Sequence, residues 1–313
     1  MTSRIIPPRL QPGMTLGVVA PSSPVFERAQ FERGAAGLEH LGFRVVLAPH
    51  ARDAYGYLAG HDRDRADDLL ATLLRDDIDG VICLRGGYGA NRTANALDRD
   101  LLAQVAARPP KPFIGYSDIT VAHAVLGAAC NWVTFYGPML VNFVNPTDYT
   151  LAAFRRALME TEPYAILPDP DEGYLETVVP GQAEGELAGG CLQLVVTLIG
   201  TPWQIDLKGK IFFWEDVNLE PYEIDRALSQ LIAAGQLQGC AGIVIGELAR
   251  VGTEKMSLSL DQVFDDLIRP LGIPTLYRLP FGHGKHHAAM PIGCRARLDA
   301  TAKTLHILEP SVR

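Results

Sequence analysis

Apolar and polar positions in the first half of the chain alternate between two patterns. Short apolar runs predict four strands, at Thr15–Ala20, Phe43–Ala48, Gly80–Leu84 and Pro112–Tyr116. Between the first three runs, apolar residues spaced three and four positions apart predict helices over Glu27–Leu41 and Arg63–Arg75. Apolar strands that alternate with helices are typical of a parallel sheet covered on both faces. We therefore expect an α/β fold.

The second half opens on a stretch of different character. Residues 164–185 contain three prolines, several acids and little periodicity, which is typical of an interdomain linker. Beyond it, the pattern predicts strands at Ile211–Trp214, Gly242–Gly246 and Ile273–Leu279, helices at Gly190–Ile199, Ile224–Ala234 and Leu260–Ile268, and a hairpin over Arg295–Leu308. We expect an N-terminal domain of residues 1–165, a linker of residues 166–184 and a C-terminal domain of residues 185–313.

The composition narrows the possible partners. The 313 residues carry a net charge of −8, and 48% of them are hydrophobic. Nucleic acids and anionic membranes attract basic proteins, so neither is expected as a partner. No apolar run is long enough to span a bilayer, and residues 1–13 lack the apolar core of a signal peptide. The five cysteines are scattered and odd in number, which indicates reduced thiols in a cytoplasmic protein.

A serine lies where the fourth predicted strand gives way to a helical pattern, in Gly115-Tyr-Ser117-Asp118. A sharp strand-to-helix turn exposes a serine hydroxyl above a helix N-terminus, which favours a nucleophile and the oxyanion that it creates. Ile119 stands where the G-x-S-x-G motif has its second glycine. Ser117 is a candidate nucleophile, and the alternative is that Ser117 or Asp118 caps the helix.

A glycine-rich segment, Arg85-Gly-Gly-Tyr-Gly89, directly follows the third predicted strand. Glycine lets backbone N–H groups approach a ligand closely, and loops at the carboxyl ends of parallel strands line binding sites. This segment could donate one N–H to an oxyanion and Asp118 the other. The residues Ala-Asn-Arg after Gly89 break the G-x-G-x-x-G motif, which argues against a nucleotide-dependent dehydrogenase.

An acid and a histidine complete the candidate chemistry. Glu215 ends a predicted strand, where a carboxylate can hold an imidazole in its working tautomer, and Asp216 competes for that role. His283 lies on a glycine-flanked loop after the Ile273–Leu279 strand. A serine, an acid and a histidine at strand ends supply the groups that nucleophilic catalysis needs.

Two more histidines, His286 and His287, follow His283 closely. The three lack a metal-binding spacing such as H-E-x-x-H, so no metal is expected there. The roles of His286 and His287 stay open.

These segments, in this order, resemble the LD-carboxypeptidase family of serine peptidases, which also contains microcin C immunity peptidases. The resemblance covers nearly the whole chain, and its main blocks are Arg85-Gly-Gly-Tyr-Gly-Ala-Asn-Arg92, Ile114-Gly-Tyr-Ser-Asp-Ile119, Trp214-Glu-Asp-Val217 and Gly282-His283. It implies that Ser117 is the nucleophile, Glu215 the acid and His283 the base. It also implies an oxyanion hole formed by backbone N–H groups of Asp118 and of either Gly86 or Gly87, of which we favour Gly87.

The resemblance implies a fold and a reaction as well. The N-terminal domain would be a doubly wound parallel sheet like that of class I glutamine amidotransferases, with a smaller C-terminal α/β domain. The expected reaction releases terminal D-alanine from cytoplasmic muropeptide tetrapeptides during peptidoglycan recycling, without a metal or organic cofactor. A homodimer is expected. Arg85 and Tyr88 are candidate substrate-binding residues, and Arg92 and Lys285 are further candidates for the substrate's carboxylate.

Two other functions stay open. An immunity-type peptidase would cleave peptidyl-adenylate analogues and would need an aromatic clamp for the adenine. Residues 164–185 contain no tryptophan, which favours the cell-wall reaction. The other alternative is a non-catalytic α/β binding protein, and the intact serine, acid and histidine argue against it.

Overall fold

The computed structural model describes residues 4–171, 173–252 and 256–313. The strands are β1 (Thr15–Val19), β2 (Arg44–Leu47), β3 (Gly80–Cys83), β4 (Phe113–Gly115), β5 (Thr134–Tyr136), β6 (Tyr164–Ile166), β7 (Glu176–Val179), β8 (Gln182–Cys191), β9 (Ile211–Val217), β10 (Gly242–Ala249), β11 (Thr275–Leu279), β12 (Met290–Ile292), β13 (Arg295–Asp299) and β14 (Thr304–Ile307). The α-helices are α1 (Arg28–His40), α2 (Asp62–Leu74), α3 (Ala90–Ala96), α4 (Arg99–Ala106), α5 (Thr120–Cys130), α6 (Asp148–Leu158), α7 (Leu192–Thr197), α8 (Pro221–Ala233) and α9 (Leu260–Leu267).

The chain forms two compact units. The first runs to Thr161 and takes in two later segments, Ala289–Pro291 and Ser311–Arg313. The second comprises Glu162–Ala288 and Ile292–Pro310. Among the described residues, no helix combines the length and the apolar character needed to cross a bilayer.

The sheet of the first unit has the strand order β12-β5-β4-β3-β1-β2. Strands β1 to β5 pair in parallel, and the four predicted apolar runs correspond to β1 to β4. The chain passes from β1 to β2 on one side and then crosses to β3 on the other, which is the switch point of a doubly wound sheet. Ligands of such folds bind outside the carboxyl ends of the strands at this point. The loops after β1, β3 and β4 all begin at that edge.

The sheet of the second unit has the order β6-β14-β13-β8-β9-β10-β11-β7. Its centre, β8 to β11, is parallel, and the outer strands are antiparallel. Trp214, Leu228 and Phe264 are among the fully buried residues of one apolar cluster, which packs helices α7 to α9 against the sheet. The predicted hairpin over Arg295–Leu308 is confirmed as β13 and β14.

The stretch interpreted as a linker contains strands. Strands β6 and β7 lie within it, and β8 begins in it. Strand β6 pairs with β14 and β7 with β11, at the two edges of the second sheet. The three prolines lie in the connections between these strands, where a missing N–H breaks no ladder. Edge strands of low periodicity therefore look like loops in the sequence.

Candidate active site

Ser117 sits on a tight turn between β4 and α5, which we call the serine turn (residues 116–120). Its backbone is left-handed, with φ at +64°. Such a conformation costs a residue with a side chain about 1–2 kcal/mol, so the surroundings must hold it. The Ser117 N–H donates to the Tyr136 hydroxyl at 3.0 Å, and its carbonyl accepts from Thr120 Oγ1 at 2.7 Å. A strained turn fixed by neighbours aims the serine side chain in one direction.

The glycine-rich loop, residues 85–89, approaches Ser117 closely. A Cβ added to Gly86 would lie 2.8 Å from Ser117 Cβ and 3.1 Å from its Oγ. Gly87 has φ at +112°, which residues with side chains rarely adopt. The structure therefore explains both glycines, one by contact with the serine and the other by backbone conformation.

The Asp118 side chain ties the serine turn to its neighbouring loops. Its Oδ2 accepts from Ser22 Oγ at 2.6 Å and from the Ala90 N–H at 2.8 Å. Burial raises the pKa of this carboxyl. Neither the 3₁₀ turn that starts at Ser117 nor α5 has a side-chain hydrogen bond at its N-cap. The Asp118 side chain thus links the loops that follow β1, β3 and β4, and it does not cap α5.

Arg65 is a buried cation that our sequence reasoning missed. Its Nη1 donates to the carbonyls of Pro21 and Gly89, at 2.7 and 3.0 Å, and its other end pairs with Asp62. Burial lowers its pKa. The sequence pattern could have revealed this burial, because Arg65 lies on the apolar face of α2 together with Leu69 and Leu73. A charged side chain on a buried face needs hydrogen-bond acceptors, because an unpaired buried charge is costly. Here the acceptors are backbone carbonyls of the loops beside Ser117.

In the second unit, Glu215 and His283 form a pair. Glu215 Oε2 accepts from His283 Nδ1 at 2.7 Å and from the His283 backbone N–H at 3.1 Å. Glu215 is fully buried, whereas the His283 side chain keeps 15% of its surface exposed. A carboxylate that accepts from Nδ1 leaves Nε2 as the basic nitrogen. The loop that carries the histidine, residues 280–287, is the histidine loop.

Gly282 makes this pairing possible. A Cβ at this residue would overlap the Glu215 side chain, and its φ is +91°. The glycine before the histidine therefore lets the loop lie directly on the buried carboxylate.

Asp216 points away from the histidine loop. Successive side chains of a strand face opposite sides of the sheet, so Glu215 and Asp216 cannot share a partner. Asp216 accepts from the backbone N–H groups of Gln193 and Val217, at 2.9 and 2.8 Å. Burial raises its pKa to about 6. Of the two adjacent acids, only Glu215 reaches His283.

The other two histidines of the loop have different surroundings. His286 Nε2 lies 3.1 Å from Asp171 Oδ2 and 3.7 Å from Asp169 Oδ1. Asp169, Asp171 and His286 could together hold a cation, since their ligand atoms lie within 4.8 Å of one another. Burial lowers the pKa of His287 to about 4, which keeps it neutral.

The candidate substrate-binding residues are spread over both units. Arg85 Nη1 lies 3.4 Å from the Pro24 carbonyl. Tyr88 is 52% exposed, with its ring 5.6 Å from that of Tyr57. Arg92 pairs with Asp62, and Lys285 with Asp171. The first unit thus carries Ser117 and its glycine-rich loop, and the second carries the bonded pair Glu215 and His283.

Comparison with known proteins identifies the family. Residues 16–137 match the LD-carboxypeptidase N-terminal domain, and residues 184–298 match the LD-carboxypeptidase C-terminal domain. A relative from Bacillus subtilis (strain 168), named probable murein peptide carboxypeptidase, is 39% identical over 305 residues, which are 95% of this chain and 92% of the relative.

Solved structures agree with this match. An MccF-like protein from Bacillus anthracis str. Ames has a TM-score of 0.88 at 26% identity, over 97% of this chain and 99% of that chain. A muramoyltetrapeptide carboxypeptidase from Oxalobacter formigenes has a TM-score of 0.78 at 29% identity, over 93% and 97% of the two chains. The chain belongs to the LD-carboxypeptidase family, and it is a serine-type carboxypeptidase.

Proposed function

We propose that this enzyme releases terminal D-alanine from muropeptide tetrapeptides, by hydrolysing the peptide bond after the L-centre of meso-diaminopimelate. The observation that carries the proposal is the buried Glu215 carboxylate bonded to His283 Nδ1, in a chain that also has a serine on a strained turn. The murein peptide specificity named for the Bacillus subtilis relative and the tetrapeptide named for the Oxalobacter formigenes structure support the substrate class.

The proposed reaction begins with proton transfer. His283 Nε2 takes the proton of Ser117 Oγ as the oxygen attacks the scissile carbonyl. Backbone N–H groups of Asp118 and Gly87 hold the oxyanion, and one such donor contributes about 3–4 kcal/mol to the transition state. In this scheme the strained turn presents Oγ and the following N–H together.

The second half of the reaction reverses the roles of the histidine. The His283 imidazolium gives its proton to the departing amine of D-alanine, and the C–N bond breaks. Water then attacks the acyl-enzyme with His283 as base again, the ester bond to Ser117 Oγ breaks, and His283 returns the proton to that oxygen. Glu215 stabilises the imidazolium without accepting the proton itself. No step in this scheme calls for a metal or organic cofactor.

The closing experiment uses mass spectrometry. The native enzyme and the Ser117→Ala variant are incubated separately with L-Ala-γ-D-Glu-meso-diaminopimelate-D-Ala. Release of D-alanine by the native enzyme alone supports both the substrate and the nucleophile. Release by both proteins removes Ser117 from the chemistry, and release by neither removes the muropeptide assignment.

A second candidate is hydrolysis of peptidyl-adenylate analogues, the reaction of immunity peptidases. The match to the MccF-like structure favours it. The described part of residues 164–185 has Tyr164 and Tyr174 as its aromatic side chains, and no tryptophan stands in that stretch to stack on an adenine. A peptidyl sulfamoyl adenosine offered in the same assay separates the two functions, since only the second predicts its cleavage.

We also propose that the enzyme acts in the cytoplasm as a homodimer. The odd number and scattered positions of the five cysteines support the location, and the family resemblance supports the dimer. All five cysteines are buried. Light scattering after size exclusion tests the dimer directly, and a mass of 34.0 kDa would contradict it.

A further inference from the structure

A charged cavity opens at the carboxyl ends of the parallel strands in the second unit. Strands β9, β10 and β11 are parallel neighbours, and Glu215, Glu247 and Arg278 lie near their respective ends. The cavity has a volume of about 190 Å³. One water needs roughly 10–15 Å³ of such volume, so a small organic group fits.

A bulge in β10 forms one wall of the cavity. Pairing with β9 passes from Ile245 opposite Trp214 to Leu248 opposite Asp216, so that Gly246 and Glu247 together face a single residue. Bulges bend a strand and redirect its side chains, often beside active sites. Here the bulge places Glu247 at the cavity.

The cavity wall carries charges of both signs. Asp169 and Glu247 supply two carboxylates, and Arg278 supplies a guanidinium. The Arg278 Cζ lies 5.6 Å from the ring centroids of both Tyr174 and Tyr277, which also line the cavity. Cation–π contacts of this kind hold a guanidinium in a fixed orientation.

Two contacts join this cavity to the histidine loop. A Cβ at Gly284, the residue after His283, would overlap Glu247 Oε2. Asp169 Oδ1 lies 3.7 Å from His286 Nε2. The cavity therefore borders the loop that carries the catalytic base of the proposed reaction.

We propose that this cavity binds a zwitterion, namely the free amino-acid end of the substrate's side chain. Arg278 binds the carboxylate of that end, and Asp169 and Glu247 bind its ammonium. The inference rests on the proposed function, in which the D-centre of meso-diaminopimelate carries this pair of charges. The cavity is then the determinant that selects diaminopimelate over lysine at the third residue of the peptide.

Ligands with a single charge fit this wall less well. A lone carboxylate would meet Asp169 and Glu247 as well as Arg278, and a lone ammonium would meet Arg278 as well as the two carboxylates. A bidentate guanidinium–carboxylate contact is among the stronger hydrogen-bonded pairs, and its geometry is selective. Removing one partner of such a pair leaves the other charge desolvated, so discrimination should be large.

The test compares two tetrapeptides that differ only in that carboxylate. One contains meso-diaminopimelate and the other L-lysine. We expect the native enzyme to have kcat/KM about 10- to 100-fold higher on the first. Arg278→Gln should bring this ratio close to one by slowing the first substrate alone. Arg297→Gln is the matched control, since Arg297 is an exposed arginine of the same unit that pairs with Glu184.

Several outcomes would overturn the inference. Equal rates of the native enzyme on the two tetrapeptides would do so, as would an unchanged ratio in a folded Arg278→Gln variant. If Arg278→Gln does not fold, Arg278→Lys is expected to keep part of the discrimination, because it keeps the charge without the bidentate geometry.

Binding separates this inference from the proposed function. If the native enzyme cleaves neither tetrapeptide, the proposed function fails. Calorimetry with the tripeptides L-Ala-γ-D-Glu-meso-diaminopimelate and L-Ala-γ-D-Glu-L-Lys then tests whether the cavity binds the zwitterion. Tenfold tighter binding of the first, lost in Arg278→Gln, would uphold the zwitterion site. Equal binding, or binding of neither, would overturn it.

Discussion

The serine turn and the histidine loop are held in place by different forces. The serine turn has a left-handed residue fixed by neutral hydrogen bonds with Tyr136 and Thr120. The histidine loop rests on the buried Glu215 carboxylate, which accepts two hydrogen bonds from His283. Bonds to a charged group are roughly twice as strong as neutral ones, and a buried charge that loses its donors is costly. A substitution of Ser117 should therefore lower kcat/KM with little change in the free energy of unfolding. A substitution at the histidine loop or its carboxylate should lower both.

The largest expected effect is at the serine. Ser117→Ala should lower kcat/KM by at least about 10⁴-fold, because the nucleophile is gone. The free energy of unfolding should change by about 0.5 kcal/mol or less, since the backbone bonds of the turn remain. D-Alanine release and urea unfolding measure the two quantities. A variant that loses stability as well would show that the hydroxyl helps to hold the turn.

Glu215→Gln should affect both quantities. The amide keeps the shape but cannot compensate an imidazolium, so kcat/KM should fall by about 10³- to 10⁴-fold. Loss of the charged acceptor should destabilise the fold by about 1–3 kcal/mol. Asp216→Asn is the matched control, because Asp216 faces away from His283, and it should retain activity within about tenfold of the native enzyme. An equal loss in both variants would contradict the assignment of the acid.

Gly282→Ala tests the contact between the loop and its carboxylate. The added methyl group overlaps Glu215, and a shift of the acid should lower kcat/KM by about 100-fold. Gly272→Ala is the control, because Gly272 has a comparable positive φ with no atom within 4 Å of the added Cβ. It should cost about 1 kcal/mol of stability and no activity. If both variants keep full activity, the loop tolerates more displacement than this geometry implies.

The smallest expected effect is the contribution of Asp216 to the pH dependence of the free energy of unfolding. Burial raises its pKa to about 6 in the folded protein, against an ordinary value near 4. Between these values the folded state binds more protons than the unfolded state. Stability relative to Asp216→Asn should therefore fall by about 1–3 kcal/mol as pH rises from 4 to 6. Urea unfolding of both proteins at several pH values measures this difference, and a difference that is constant or rises with pH would contradict it.

Apolar strands were well predicted from the sequence, because the central strands of each sheet are buried on both faces and are apolar throughout. Strands β1 to β4 and β9 to β11 all coincide with predicted apolar runs. Strand β5 has three residues, as β4 does, but it was not predicted from the sequence pattern. Strands β6 and β7 are defined by partners more than ninety residues away, and no local pattern records such pairing.

The candidate site shows the same division between local and distant information. Ser117 and the glycines of residues 85–89 were predictable, because a strand-to-helix turn and a loop that touches it have local signatures. The choice of Glu215 over Asp216 came from the family resemblance alone, since the local pattern does not show which face of β9 meets the histidine loop. The roles of Arg65 and Ser22 also depend on contacts with distant segments.

The first unit includes residues 289–291 and 311–313, which lie far along the chain from the rest of it. Ser311 Oγ donates to the Ala157 carbonyl, and the N–H groups of Arg9 and Arg313 donate to the carbonyls of Arg313 and Pro7. Strand β12 also adds to the first sheet late in the chain. A ribosome completes an N-terminal domain early, at roughly 5–20 residues per second. The first unit therefore cannot close until residues 289–291 and 311–313 have been synthesised, which is after the strands and helices of the second unit.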